Sequence, residues 1–98
     1  MTEPNVVRDD AESRYQIDVD GTLAVLAFQW EGDVLDLRHT EVPDALEGQG
    51  LGGHLVKAAL ADAARDDLTV VPSCTFVRGW LERHPEVAAT VKIEAPAT

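Results

Sequence analysis

An α+β domain is the fold class that the order of hydrophobic periods predicts. Three strand-like runs between Ser13 and Val42 are separated by short turn signals, and one run from Leu51 to Arg65 has helical spacing. A brief apolar run and a second helical run follow. The expected order is β-β-β-α-β-α, an antiparallel meander with helices packed on its sheet. Ninety-eight residues suffice for one such core.

In the first strand, "SRYQIDV", Tyr15, Ile17 and Val19 take one face and Arg14, Gln16 and Asp18 the other. Asp20-Gly21 then supplies a hairpin turn, because these residue types tolerate positive φ. "TLAVLAFQW" is apolar on both faces, the pattern of a strand covered on two sides. "EGD" turns the chain into "VLDLRHTEV", where Leu35 and Leu37 are expected to share a face with His39 and Glu41.

In the helical run, His54, Lys57, Asp62 and Arg65 make one polar stripe, and Leu51, Leu55, Val56, Ala59, Leu60 and Ala63 fill the rest. "RDD" ends it. "LTVVPS" reads as a short buried strand that stops pairing at Pro72, which has no N–H to give. "TFVRGWLERH" is a second helix, capped by Thr75 or Ser73 and closed by Pro85. Residues 1–12 are expected to be a flexible lead-in, 13–86 the domain and 87–98 a tail, either an edge strand or disorder.

Eighteen acids against eight Lys and Arg give a net charge of -10 and a pI near 4.4. Nucleic-acid binding needs clustered cations that release counterions, so this balance speaks against it. A cationic ligand such as an amine would be attracted instead, although solubility alone explains the charge more simply. One cysteine cannot form an internal disulfide, and the polar start lacks the features of a secretory signal. No apolar run nears the roughly twenty residues that cross a bilayer. A cytoplasmic protein is expected, with no membrane partner and with its oligomeric state open. His39, His54, Cys74 and His84 lack the paired spacing of a zinc site, so no metal is expected.

Gly48, Gly50, Gly52 and Gly53 stand where the helical run begins. A Walker loop would need Lys and Ser or Thr after its last glycine, and His54 and Leu55 occupy those positions. Gly48, Gly50 and Gly53 also spell the dinucleotide motif, but that motif needs a parallel βαβ unit, and a meander precedes it here. A third reading keeps the physics: a glycine turn entering a helix offers several N–H donors and a positive dipole end. The pyrophosphate of coenzyme A is an anion that such a loop can hold. A bare turn would need only one or two glycines.

The run "HTEVPDALEGQGLGGHLVKAAL", with "LTVVPSCTFVRGWLERHPE" after it, resembles the small, single-domain branch of the GCN5-related N-acetyltransferase family. The resemblance covers roughly residues 13–86. It implies the minimal fold of that family, in which the strand after the first helix runs parallel to the strand before the loop and splays from it. It also implies acetyl transfer from acetyl-CoA, as co-substrate, to an amine on a small molecule or a protein.

By that resemblance Gly48, Gln49, Gly50, Gly52 and Gly53 hold the pyrophosphate through backbone N–H groups, with His54 beside them. The pantetheine arm lies along Glu41, Val42 and Pro43, and an N–H near Val42 polarises the thioester carbonyl. Cys74 is the candidate acyl acceptor, which requires a nearby base to make it a thiolate. His39 is the expected base, with Glu41 on its face; in a direct route either one serves the amine. Two departures from the family stand out. Glu47 begins the loop where Arg or Gln is usual, leaving phosphate affinity to the amides and to His54, Lys57 or Arg78. Trp80 replaces a tyrosine that would protonate the leaving thiolate, and an indole N–H does not ionise there, so Trp80 is read as packing. A module that binds CoA or acyl-CoA without turnover is the alternative.

Overall fold

The computed structural model describes residues 4–96, which form a six-stranded sheet with its strands in sequence order. β1 (Val7–Asp9), β2 (Arg14–Val19), β3 (Thr22–Glu31) and β4 (Val34–Glu41) make an antiparallel meander. α1 (Leu51–Arg65) crosses over to β5 (Thr69–Pro72), and α2 (Thr75–Arg83) and α3 (Pro85–Ala88) lead to β6 (Lys92–Ile93). β5 runs parallel to β4, and β6 parallel to β5. The α+β class and its β-β-β-α-β-α core are those that the periodicity predicts. The first hairpin closes at Val19 and Thr22 with Asp20 at φ 52° and Gly21 at φ 89°, the two positive values that a two-residue turn requires.

The core lies between one sheet face and the helices. Tyr15, Ile17, Leu26, Leu35, Leu37 and Val70 are buried from the sheet side, and Leu55, Val56, Leu60, Val77 and Leu81 meet them from α1 and α2. Leu23, Val25 and Ala27, on the other face of β3, are only half-buried. β3 is therefore not covered on both faces, as its apolar sequence suggested. Among the described residues, that second face carries no helix.

The sheet gains one strand that the sequence did not lead one to expect, β1, while β6 is the edge strand that was one alternative for the tail. β1 lies within the segment read as a lead-in and pairs with β2 from Val7↔Gln16 to Asp9↔Arg14. Arg8 then reaches Asp62 of α1 at 3.2 Å, and the Tyr15 hydroxyl donates to the same carboxylate at 2.9 Å. A three-residue edge strand is too short for alternation to be legible. Pro85 closes α2 but also opens α3, where a missing N–H costs nothing and the fixed φ suits the first helical position.

One irregularity matters most for the site. Phe28 pairs with Leu37 but Ala27 pairs with His39, so Arg38 is an extra residue on β4, a β-bulge. The inward alternation Leu35, Leu37 therefore resumes at Thr40, opposite the buried Leu26. His39 and Glu41 pair with Ala27 and Val25 and belong to the open face. This corrects the expectation that they share a face with Leu35 and Leu37.

Candidate functional site

β4 and β5 pair only from Val34↔Thr69 to Leu37↔Pro72. One further bond, from the Cys74 N–H to the Leu37 carbonyl at 2.9 Å, ends their contact. β4 continues to Glu41 without β5 beside it, and the two strands splay. By alternation, the N–H groups of Thr40 and Val42 turn into that gap, and Val42 finds no backbone acceptor among the described residues.

After β4 the chain makes a single 3-10 turn at Asp44–Leu46, anchored by the buried Leu46, and then enters the glycine loop. Gly48 (φ 84°) and Gly50 (φ 71°) take left-handed conformations that side chains resist, and Gly50 is the N-cap of α1. The N–H groups of Gly48, Gln49, Gly50, Leu51, Gly52 and Gly53 have no backbone acceptor among the described residues, and no side chain caps the helix. Unpaired donors at the positive end of a helix dipole are an arrangement that favours negative charge.

The other two glycines serve packing as well. A Cβ on Gly52 would lie 2.7 Å from the Phe76 ring, and one on Gly53 would lie 2.9 Å from Trp80 Nε1. Their bareness lets α2 press against the first turn of α1. A hollow of about 320 Å³ opens there, lined by Gly50, Gly53, His54, Lys57, Phe76, Trp80, Arg83 and His84. In a chain of net charge -10, two of the three histidines thus join a lysine and an arginine beside the bare amides. Arg78, an expected phosphate ligand, is exposed and does not line the hollow, whereas Arg83 and His84 do so unannounced by any motif. Trp80 is buried and stacks on His84 with ring centroids 3.9 Å apart, which is a packing role. Glu47 is exposed at the loop's start. Another hollow, about 510 Å³, lies at Arg8, Phe28 and Trp30, away from the loop.

Cys74 is the N-cap of α2, not Ser73 or Thr75. Ser73 instead donates to Asp36 Oδ1 at 2.6 Å. The Cys74 sulfur lies 3.4 Å from Thr40 Oγ1, and the residue as a whole is 8% exposed. Burial pushes the thiol up and is the largest single influence on it. The Thr40 hydroxyl and the N–H groups of Val77, Phe76 and Thr40 together outweigh that burial, leaving the thiol below its ordinary value.

His39 does not contribute to this environment, since the bulge sends it to the opposite face from Thr40. The structure thus brings Cys74, Thr40 and the start of α2 together, and it keeps His39 and Glu41 on the other side of the sheet. Thr40 is the residue that sequence reading missed; only the bulge makes it face inward. Among the described residues, no group of three or more His, Cys, Asp or Glu side chains is placed to hold a metal ion. No helix of the described residues is long and apolar enough to cross a membrane.

A paired strand splays before a bare amide turn, and a helix crosses from that turn to the strand's parallel neighbour. The sequence profile described as GCN5-related N-acetyl-transferase matches residues 14–91. The chain belongs to that family. Protein NATD1 of Homo sapiens is 40% identical over 63 residues, which take in 63% of this chain and 56% of that protein. Protein NATD1 of Gallus gallus gives the same identity, with 57% of its length covered. The chain therefore spans little more than half the length of these relatives. Protein NATD1 of Danio rerio is 31% identical over 87 residues, covering 86% of this chain and 79% of its own. The solution structure of a GCN5-like protein from Staphylococcus aureus superposes with a TM-score of 0.71 at 25% identity, covering 99% of this chain and 94% of the other.

Proposed function

We propose that the protein transfers the acetyl group of acetyl-CoA, its donor substrate, to an amine, with Cys74 as an intermediate carrier. The observation that carries this reading is the placement of two features: a run of amides at Gly48 to Gly53 without backbone acceptors among the described residues, packed at Gly52 against Phe76 of α2, and a thiol held below its ordinary pKa at the N-cap of that same helix. The amides of Gly48, Gln49, Gly50, Gly52 and Gly53 hold the diphosphate, with His54 beside them and Lys57 adding positive charge. Glu41, Val42 and Pro43 flank the pantetheine arm, and the Val42 N–H donates to the thioester oxygen as charge builds on it. Cys74, having released its proton to solvent, attacks as the thiolate: its Sγ bonds to the acetyl carbon as the bond from that carbon to the coenzyme sulfur breaks, and the coenzyme leaves as thiolate. The amine nitrogen next attacks the Cys74 thioester, the electron pair returns to Sγ, and one proton leaves the nitrogen. Phe76, Val77 and Thr40 amides stabilise the returning thiolate. On this reading His39 and Glu41 serve the amine and do not activate the thiol.

Incubation with acetyl-CoA should place one acetyl group on the Cys74 peptide by mass spectrometry, and added amine should then release it. A second reading, a CoA-binding module without turnover, is favoured by the burial of Trp80, which leaves the departing thiolate no tyrosine. That reading expects binding with no acetyl on Cys74.

A further inference from the structure

Independently of acetyl transfer, we propose that a notch in the sheet beside Trp30 takes up an extended, basic segment of another protein as an added strand. β2 pairs with β3 only from Arg14↔Ala27 to Val19↔Thr22, and one further bond, from the Phe28 N–H to the Ser13 carbonyl at 2.9 Å, ends their contact. Ser13, at φ 54°, belongs to the turn that brings the chain in from β1, where the Glu12 N–H donates to Asp9 Oδ1, so no strand continues β2 past it. β3 runs on for three residues with β4 alone beside it, through Gln29↔Asp36, Trp30↔Leu35 and Glu31↔Val34. By alternation from Phe28, the N–H and C=O of Trp30 turn to the vacated side, where they find no backbone partner among the described residues. A strand edge with free backbone groups is where an extended segment pairs.

The vacated side is also a hollow of about 510 Å³, lined by Phe28, Gln29 and Trp30 from β3 and by Arg8, Asp10 and Ser13 from the β1–β2 corner. Phe28 and Trp30 meet edge to face with ring centroids 6.3 Å apart, and Trp30 is 38% exposed. A strand lying there places one side chain on these rings, opposite Trp30, and its neighbours on the open face, opposite Gln29 and Glu31. The charge around the hollow selects those neighbours. Arg8 lies over the Trp30 ring at 5.3 Å, but its guanidinium is engaged by Asp10 at 2.9 Å and Asp62 at 3.2 Å. Glu12 and Glu31 are exposed and join none of the ion pairs among the described residues. An apolar residue flanked by lysine or arginine fits this setting: its side chain covers the rings, the cations meet the acids, and the main chain pairs with Trp30.

The probe is the acetylated pentapeptide amide Lys-Leu-Lys-Leu-Lys, whose alternation meets these demands, with Glu-Leu-Glu-Leu-Glu as its charge control. The lysine peptide should slow hydrogen exchange at the Trp30 amide and shift the Trp30 indole resonance. The glutamate peptide should bind about tenfold more weakly. By calorimetry, Trp30→Ala should weaken the lysine peptide about tenfold, as loss of an aromatic anchor does, and Glu31→Gln about two- to fivefold. Glu82→Gln, on the exposed side of α2, should change nothing. Should Trp30→Ala fail to fold, Glu31→Gln, an exposed change at the hairpin end, still reads the ion pair. An indole shift with unchanged exchange at the Trp30 amide would mean a side-chain ligand and no added strand. Slowed exchange that needs only a higher protein concentration would assign the notch to a second copy of the chain. Either result, equal binding of the two peptides, or no response to the lysine peptide at millimolar concentration overturns the proposal.

Discussion

Thr40 Oγ1 and Cys74 Sγ face each other at 3.4 Å across a gap that no β-ladder bond closes. The pair exists because one extra residue, Arg38, turns β4 by half a pleat. Without the bulge His39 would occupy this place. With it, the thiol's surroundings contain a neutral hydroxyl and several amides, so its low pKa comes from dipoles and hydrogen bonds and not from a charged base.

Thr40→Val keeps the side chain's shape and removes the hydroxyl, so the Cys74 pKa should rise. Thiolate absorbance titrated against pH measures it directly. Cysteine alkylation near neutral pH should slow and should recover in more alkaline buffer. His39→Ala should leave the titration in place.

The same shift sets a pH dependence of stability. Cys74 is depressed in the folded state, so its contribution is complete above the unfolded pKa of about 8.5 and is lost as pH falls through the folded value. The Tm difference between the unaltered protein and Cys74→Ala should grow as pH rises to about 9 and then level off.

The glycines of the first turn should respond differently to the same substitution. Gly53→Ala drives a methyl into Trp80, which is buried and stacked, and overpacking of this kind costs about 1–3 kcal/mol. Gly52→Ala meets the tip of Phe76, which is 39% exposed and can swing away. There the gain in helix propensity offsets much of the cost. Thermal melts of both variants separate the two cases.

Lys57→Ala and Arg83→Ala should each weaken CoA binding about three- to tenfold, with the loss shrinking as salt rises. Calorimetric titration at two ionic strengths tests both the size and the screening. A loss that does not change with salt would point to packing.

Tyr15→Phe should cost about 1 kcal/mol, since the Tyr15 hydroxyl donates to Asp62 in a setting where burial pushes the phenol up. In a domain of this size that lowers Tm by roughly 4–8 °C. Asp62 keeps Arg8 and Arg65 as partners, which limits the loss.

Much of this was legible from periodicity. α1 begins at Leu51 and ends at Arg65 as its stripe predicts, and β5 stops at Pro72, where the N–H runs out. β1, with three residues, is shorter than any pattern that could reveal it, whereas β6 (Lys92–Ile93) is the edge-strand alternative expected for the tail. The bulge at Arg38 carries no glycine or proline to announce it, so the strand's faces were misassigned from that residue onward. The anion loop was visible because its positive φ values demand glycine. Two residues that line the hollow beside it, Arg83 and His84, came from a helix end whose position depends on packing.

The observation that bears most on the donor site is an amide spectrum of isotopically labelled protein titrated with acetyl-CoA. The resonances of Gly48, Gln49, Gly50, Leu51, Gly52 and Gly53 should shift first and furthest, with Thr40 and Val42 following, and inorganic pyrophosphate alone should move the loop set. Saturating acetyl-CoA that leaves those six amides in place, or moves only residues around Trp30, would contradict the assignment of this loop as the cofactor's grip.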